Sequence, residues 1–413
     1  MNQQIPTGRP SQRAPQQTPP RSPQRPQQRP PQRPPQRPHR PSKYGTGFVV
    51  LLVTTVTLLL ISLIVLGVVL CVGGMDSAPQ STGGGGDDTS TTPKQETPQT
   101  PTTPQLKAKY LTLPSATASG NQLSAPSVDV QQISGISSGY AVLVDMASNQ
   151  SIAEKYADAK VYPASMTKVM TVLIACENAK SATDLVTVEQ WMLDYLKKGQ
   201  PGYQASTIGG WTAGDSITVE DALFLVNYQS DTIACLLLAE YIAGGNEEFA
   251  AMMNQKARSM GLTGTNFVNN TGLYDDNHYT TCRDMAAIVR AAMNNPAAKA
   301  VLTSYQGYSV SIYRDSALTR NPTIYAAWYS DKDRLGDNAW VGGGSDMKFV
   351  GGKTGYEDVP TACFATVAQD TGTGKYYICV TVGRGSTSNS SVNEASSTAD
   401  AKHIYKTYAE GRT

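Results

Sequence analysis

The chain has 413 residues, 40% of them hydrophobic, with 34 Lys and Arg against 33 Asp and Glu and a formal net charge of +1. So even a balance leaves no general basic footprint for nucleic acid. Only three histidines are present, with no His-Glu-x-x-His and no Cys-x-x-Cys pair, which argues against a zinc-dependent hydrolase; no metal and no cofactor are expected.

In chain order, residues 1–43 are built almost entirely from Pro, Gln and Arg in a near-repeat without an acidic side chain. Such a segment buries too little apolar surface to offset its chain entropy, so it reads as a disordered or polyproline tail. It is a solvated topogenic tail or, alternatively, a docking segment for an acidic membrane face or a cytoplasmic partner that reads proline-rich peptides. Residues 48–72 follow as an uncharged run rich in Val and Leu, long enough as a helix to span a bilayer. No small-residue cleavage pattern stands beside it, so it is expected to remain as an anchor. The positive excess lies on its N-terminal side, which predicts a cell-membrane protein with a cytoplasmic tail and everything after the span outside. Residues 75–128, rich in Ser, Thr, Pro, Gln and Gly, read as a flexible to semi-rigid linker.

Residues 129–413 are long enough for one large core or two lobes. Strand patterns cover Tyr140 to Val144 and Ser151 to Tyr156, with a turn at Asn149 and Gln150. Helical patterns cover Met166 to Ala179, Val219 to Val226, Ile233 to Ile242, Glu247 to Met260 and Arg283 to Met293. A hairpin is expected from Thr361 to Gln369 and Tyr376 to Val382, then a helix from Ala395 to Tyr408. Strands at both ends with helices between predict an α+β domain: one antiparallel sheet made from both termini beside a helical lobe. Five of the six cysteines follow the span, an odd number, and Cys176 and Cys235 in apolar helices read as buried free thiols. Nothing resembling a C-terminal anchor follows the last helix, leaving the tethering to residues 48–72.

Three short motifs carry the chemistry. Ser165-Met166-Thr167-Lys168 puts a hydroxyl and an amine three residues apart, on one helix face and within hydrogen-bonding reach. Lys168 is the candidate general base that activates the Ser165 nucleophile, its neutral form favoured by burial and by the nearby Lys353. Pro163 suits a helix start, placing Ser165 near a positive helix end. Ser230-Asp231-Thr232 precedes the helix that begins near Ile233. Gly351-Gly352-Lys353-Thr354-Gly355 precedes the hairpin, its glycines allowing close approach of backbone to a ligand. Ser-x-x-Lys, then Ser-Asp-x, then Lys-Thr-Gly is the motif order of the penicillin-recognising serine acyltransferases and class A β-lactamases.

With Pro163 to Thr171, Asn254 through Met260-Gly261-Leu262, Thr265-Asn266-Phe267, Gly272-Leu273, His278 and Asp284-Met285-Ala286, residues 130–410 resemble the D-alanyl-D-alanine carboxypeptidases, low-molecular-mass penicillin-binding proteins of the S11 serine peptidase type. The resemblance implies a penicillin-binding-protein/β-lactamase-like transpeptidase fold with the active site where sheet meets helices. The substrate it implies is the D-Ala-D-Ala end of a peptidoglycan stem peptide, with β-lactam antibiotics as inhibitors. Backbone N–H groups of Ser165 and Tyr356 would form the oxyanion hole. Lys353 and Thr354, with Gly355, would hold the terminal carboxylate, and Ser230 would relay a proton to the departing amine.

Two places depart from the family pattern. Thr232 stands where the family has Asn, replacing an acceptor-donor amide by one hydroxyl on a shorter arm, and Tyr356-Glu357 replaces a small or hydroxyl residue. Asn227 offers no shifted alignment, lacking a serine two residues before it. His278 in its polar loop reads as structural. Trp191, Trp211, Trp328 and Trp340 read as core or cleft walls, and the stretch from Trp328 to Met347 as a loop over the site. A β-lactamase is the lesser alternative, because no Glu-x-x-Leu-Asn stretch follows Ser230. A catalytically weak protein that binds wall peptides or scaffolds division and spore-wall machinery is the alternative that Thr232 and the long tail support.

Overall fold

In the computed structural model the described residues are 106–118, 129–197, 205–326, 341, 344–357, 361–383 and 390–412, all belonging to the second of two compact units, Gln95–Thr413. The tail at 1–43, the apolar run at 48–72, and Trp328 and Trp340 lie outside them. Among the described residues no helix is long and apolar enough to cross a membrane.

The alternating runs at both ends of the domain form one six-stranded sheet. Its strands are β1 (Gln131–Gln132), β2 (Ser138–Asp145), β3 (Gln150–Lys155), β10 (Met347–Glu357), β11 (Thr361–Asp370) and β12 (Tyr376–Gly383), in the order β1-β3-β2-β12-β11-β10. Both arms of the expected hairpin are present as β11 and β12, and β2 pairs antiparallel with β12 in the register Val142 opposite Val380. The expected all-antiparallel sheet carries one parallel pair, β1 on β3. β10 closes the opposite edge despite its glycines, which are depleted in strands; an added Cβ at Gly352 would sit 2.7 Å from the Ala365 carbonyl oxygen.

Every residue of β12 from Tyr377 to Val382 is buried, so the sheet is covered on both faces. α6 (Cys282–Met293) packs on one face. α8 (Ser390–Ile404), continued by a π-turn over Tyr405–Ala409, packs on the other. There the Tyr405 hydroxyl meets the Thr366 hydroxyl at 2.9 Å, and the Ser397 hydroxyl donates to the Ala362 carbonyl.

The helical lobe is centred on α1 (Thr167–Asn178), buried continuously from Thr167 to Cys176, as a helix apolar all round must be. Around it stand α3 (Val219–Tyr228), α4 (Thr232–Ala243), α5 (Asn246–Ser259) and α7 (Pro296–Thr303). Each of these helices lies within a few residues of its sequence pattern, α7 excepted. α2 (Gln190–Leu196), the small sheet made by β4 (Leu185–Thr187), β5 (Ser216–Thr218), β7 (Ile312–Arg314) and β8 (Ala317–Arg320), and the pair β6 (Tyr308–Ser309) with β9 (Thr323–Ile324) also had no sequence expectation.

Residues 106–118, within the stretch read as linker, are held on this lobe. The backbone N–H groups of Lys109, Tyr110 and Leu111 all donate to the Glu220 carboxylate. Lys109 Nζ pairs with Asp221 at 2.9 Å, Ser115 N donates to the Cys176 carbonyl, and Asn295 Nδ2 donates to the Ser115 carbonyl. The folded unit therefore begins before residue 129. Cys176, Cys235, Cys282 and Cys379 are buried free thiols, as read for the first two, and Cys363 is buried with its thiol donating to the Tyr162 carbonyl.

Candidate active site

Ser165 sits in a 3-10 turn, Ala164–Met166, whose cap residue Pro163 accepts from Met166 N at 3.0 Å. The sequence pattern began at Met166, with Ser165 near the helix start; α1 begins at Thr167, two residues after the serine. Ala164 holds φ +46°, a region that costs a non-glycine residue free energy and recurs at functional sites. The spacing argument still holds across the turn: Lys168 Nζ donates to Ser165 Oγ at 3.1 Å. Lys168 is only 2% exposed.

Ser230 lies between α3 and α4 at φ +55° and donates its hydroxyl to Ser165 Oγ at 2.9 Å. The strained backbone is held from both sides. Asp231 caps α4, accepting from Ala234 N at 2.9 Å through one oxygen. Its other oxygen accepts from Ile208 N at 2.8 Å and from the Trp211 indole at 3.2 Å. Burial pushes the Asp231 carboxyl up while these donors pull it down, with burial the larger effect. Thr232 opens α4, fully buried, its N–H donating to the Ser206 carbonyl at 2.8 Å.

β10 forms the third wall. A Cβ at Gly355 would lie 3.1 Å from Ser165 N and 3.2 Å from Met166 N; the strand can lie this close to the nucleophile's turn only because that residue is glycine. Lys353 shares the inward face two residues earlier, is 2% exposed and donates to the Thr354 carbonyl at 2.8 Å; Thr354 is half-buried. Tyr356 continues the strand, its backbone opposite Ala362. The charges of Lys168 and Lys353 both reach the Cys235 thiol one turn along α4 from Thr232, which burial nevertheless pushes up to about 12. The structure thus brings all three motifs to the turn that carries Ser165, with Lys168 and Ser230 at its hydroxyl and Gly355 at its backbone.

His278 lies behind the nucleophile helix, 1% exposed. Its Nδ1 accepts from Val268 N at 3.1 Å, which leaves the proton on Nε2 for donation to Thr167 Oγ1 at 2.8 Å. Burial lowers its pKa to about 4. It is a neutral structural histidine, as its sequence context suggested.

Sequence reasoning missed Asp231 and Trp211 as supports of Ser230, and Thr271, whose carbonyl accepts from Lys168 Nζ at 2.5 Å. Asn269 to Gly272 did carry a turn signature, Asn-Asn-Thr-Gly. Trp191 is partly exposed and Trp211 is buried. Among the described residues no group of three His, Cys, Asp or Glu side chains is gathered that would hold a metal ion.

A seryl oxygen touched by a buried amine and a second hydroxyl, beside a glycine-lined edge strand carrying a second lysine, can form and release an ester. The model of the D-alanyl-D-alanine carboxypeptidase family, peptidase S11, matches residues 126–385. The chain is 35% identical over 190 residues to the D-alanyl-D-alanine carboxypeptidase DacC of Escherichia coli (strain K12), covering 45% of each protein. It is 27% identical over 237 residues to DacF of Bacillus subtilis (strain 168), covering 55% of this chain and 53% of the relative. The chain spans about half the length of these curated relatives. Among solved structures, the Streptomyces K15 DD-transpeptidase aligns with a TM-score of 0.55 at 21% identity, over 67% of this chain and 98% of that one. The D-alanyl-D-alanine carboxypeptidase of Mycobacterium tuberculosis H37Rv aligns at 0.53 and 20%, over 70% and 98%; both likenesses concern the fold. On the family match across most of its folded domain, the chain belongs to the S11 family of D-alanyl-D-alanine carboxypeptidases.

Proposed function

We propose that the protein is a serine-type D-Ala-D-Ala carboxypeptidase that removes the terminal D-alanine of peptidoglycan stem peptides and is inhibited by penicillins. The observation that carries this reading is the convergence of Lys168 Nζ and Ser230 Oγ on Ser165 Oγ, at 3.1 and 2.9 Å. Ser165 Oγ attacks the carbonyl carbon of the penultimate D-Ala as its proton passes to neutral Lys168. The Ser165 and Tyr356 N–H groups take the charge that develops on the carbonyl oxygen. As the C–N bond breaks, the proton held by Lys168 reaches the departing D-Ala amine through Ser230. Water then hydrolyses the ester and restores the Ser165 hydroxyl. Lys353 and Thr354, on the edge strand, hold the substrate carboxylate, and Gly355 lets the backbone approach.

The apolar run at 48–72 anchors the chain, residues 1–43 face the cytoplasm with an acidic membrane face or a proline-reading partner at hand, and the catalytic domain works outside. The test of the activity is D-Ala release from a pentapeptide ending in D-Ala-D-Ala. Release by the native chain and none by Ser165→Ala is the expected result. Equal rates in both would remove Ser165 from the chemistry.

A further inference from the structure

The loop from Asn269 to Leu273 takes no part in the steps above, yet it is tied to both members of the Ser165–Lys168 pair. Lys168 Nζ donates at once to Ser165 Oγ and to the Thr271 carbonyl. That carbonyl is held by one carboxamide. Asn269 Oδ1 accepts from Thr271 N at 3.1 Å, Thr271 Oγ1 at 3.0 Å and Gly272 N at 2.8 Å, while its Nδ2 donates to the Leu273 carbonyl at 2.9 Å. Asn269 is itself 7% exposed.

The far side of the loop is locked against the nucleophile's turn. Gly272 holds φ +76°, and a Cβ there would lie 2.1 Å from the Ala164 carbonyl oxygen. The Tyr162 hydroxyl donates to the Gly272 carbonyl at 2.6 Å. Thr171 Oγ1 donates to the Asn270 carbonyl, and Asn270 Nδ2 donates to the Cys235 carbonyl, which fastens the loop to α1 and α4. One carbonyl is thereby fixed relative to both the serine and the lysine.

We infer that Asn269 is a positioning residue for Lys168, acting through the Thr271 carbonyl to set the rotation of the amine. The inference rests on the Ser165–Lys168 chemistry proposed above. A neutral amine has two N–H donors and one lone pair. Giving one N–H to Thr271 turns the lone pair toward the Ser165 hydroxyl proton; once protonated, the ammonium keeps the same acceptor as a charge-assisted bond. The carbonyl therefore serves the lysine in both states. Other titratable groups whose charges act in this cluster are Lys353 from β10, Cys235 and Asp231 from α4 and its cap, His278, and Asp275, which acts on His278.

The test is acylation of the full chain in detergent by a fluorescent penicillin from pH 5 to 10, for the native protein, Asn269→Ala and Asn269→Asp, with thermal melts beside it. In Asn269→Ala the limiting acylation rate should fall about tenfold to a hundredfold, with the non-covalent penicillin affinity nearly unchanged. Asn269→Asp keeps the three accepted bonds but adds a negative charge near the amine and loses the donation to Leu273. Its rising pH limb should move up by about one unit. A native chain that acylates while the Asp variant keeps the native pH limb would overturn this inference alone. So would a loss in the Ala variant that merely follows its unfolded fraction or its penicillin affinity. A native chain that takes no penicillin at any pH would overturn the acyl-enzyme reading and this inference with it.

Discussion

Two neighbours of the nucleophile show how little a side chain's identity says until its partners are known. His278 and Lys168 are both buried, but only Lys168 reaches Ser165. His278 is held neutral, its folded pKa lowered from 6.5 to about 4. The unfolded chain binds that proton more readily, so this histidine's contribution to stability is full above its unfolded pKa and drains away as pH falls from about 6.5 to 4, on the order of 3 kcal/mol. The carboxyls of Asp231, Asp284 and Glu220, raised by burial, act with the opposite sign, so the informative quantity is a difference. His278→Gln should lower stability near pH 7 and shrink the drop between pH 7 and pH 5, measured as urea midpoints. An unchanged pH dependence would mean that the ring titrates normally in the folded protein. Thr232 gives a second residue-scale prediction. Ser230 and Lys168 already reach Ser165 without it, so Thr232→Asn should change the acylation rate by less than about threefold. A rise of tenfold or more would favour the catalytically weak wall-binding reading.

At the scale of elements, the central helices of the lobe and the hairpin were legible because their periodicity agrees with their burial. Thr167 to Cys176 is apolar with few breaks and buried all round; β12 is a continuous buried run. The three motifs were legible as motifs, though not their joint geometry. What escaped depends on contacts distant in sequence. β10 is glycine-rich, which local propensity reads as loop, and it becomes a strand because β11 offers a full antiparallel partner. α2 is only seven residues long, too short for a periodic signal. Residues 106–118 have the composition of a linker, and nothing local announces that three of their backbone N–H groups will meet Glu220, about 110 positions away. That carboxylate is buried, so Glu220→Ala leaves three donors without it and should destabilise the domain by about 2–4 kcal/mol in urea unfolding. A loss below about 0.5 kcal/mol, the size expected of an ordinary surface change, would mean that the segment is merely laid on the lobe.

For the whole molecule, the sequence has a basic tail, an apolar run and a folded domain joined in that order, the arrangement from which the outside location of the domain is proposed. Protease added to intact cells should remove the catalytic domain and spare residues 1–43, read with antibodies to each part. Loss of the tail under the same treatment would reverse the orientation proposed from the arginine run.

Acylation of Ser165 is read by intact-mass spectrometry over time after mixing with penicillin, with Ser165→Ala run beside the native chain. The native chain should gain the mass of one penicillin and lose it slowly, and the alanine variant should gain none. No adduct in either protein, or the same adduct in both, would mean that Ser165 is not the acylated nucleophile.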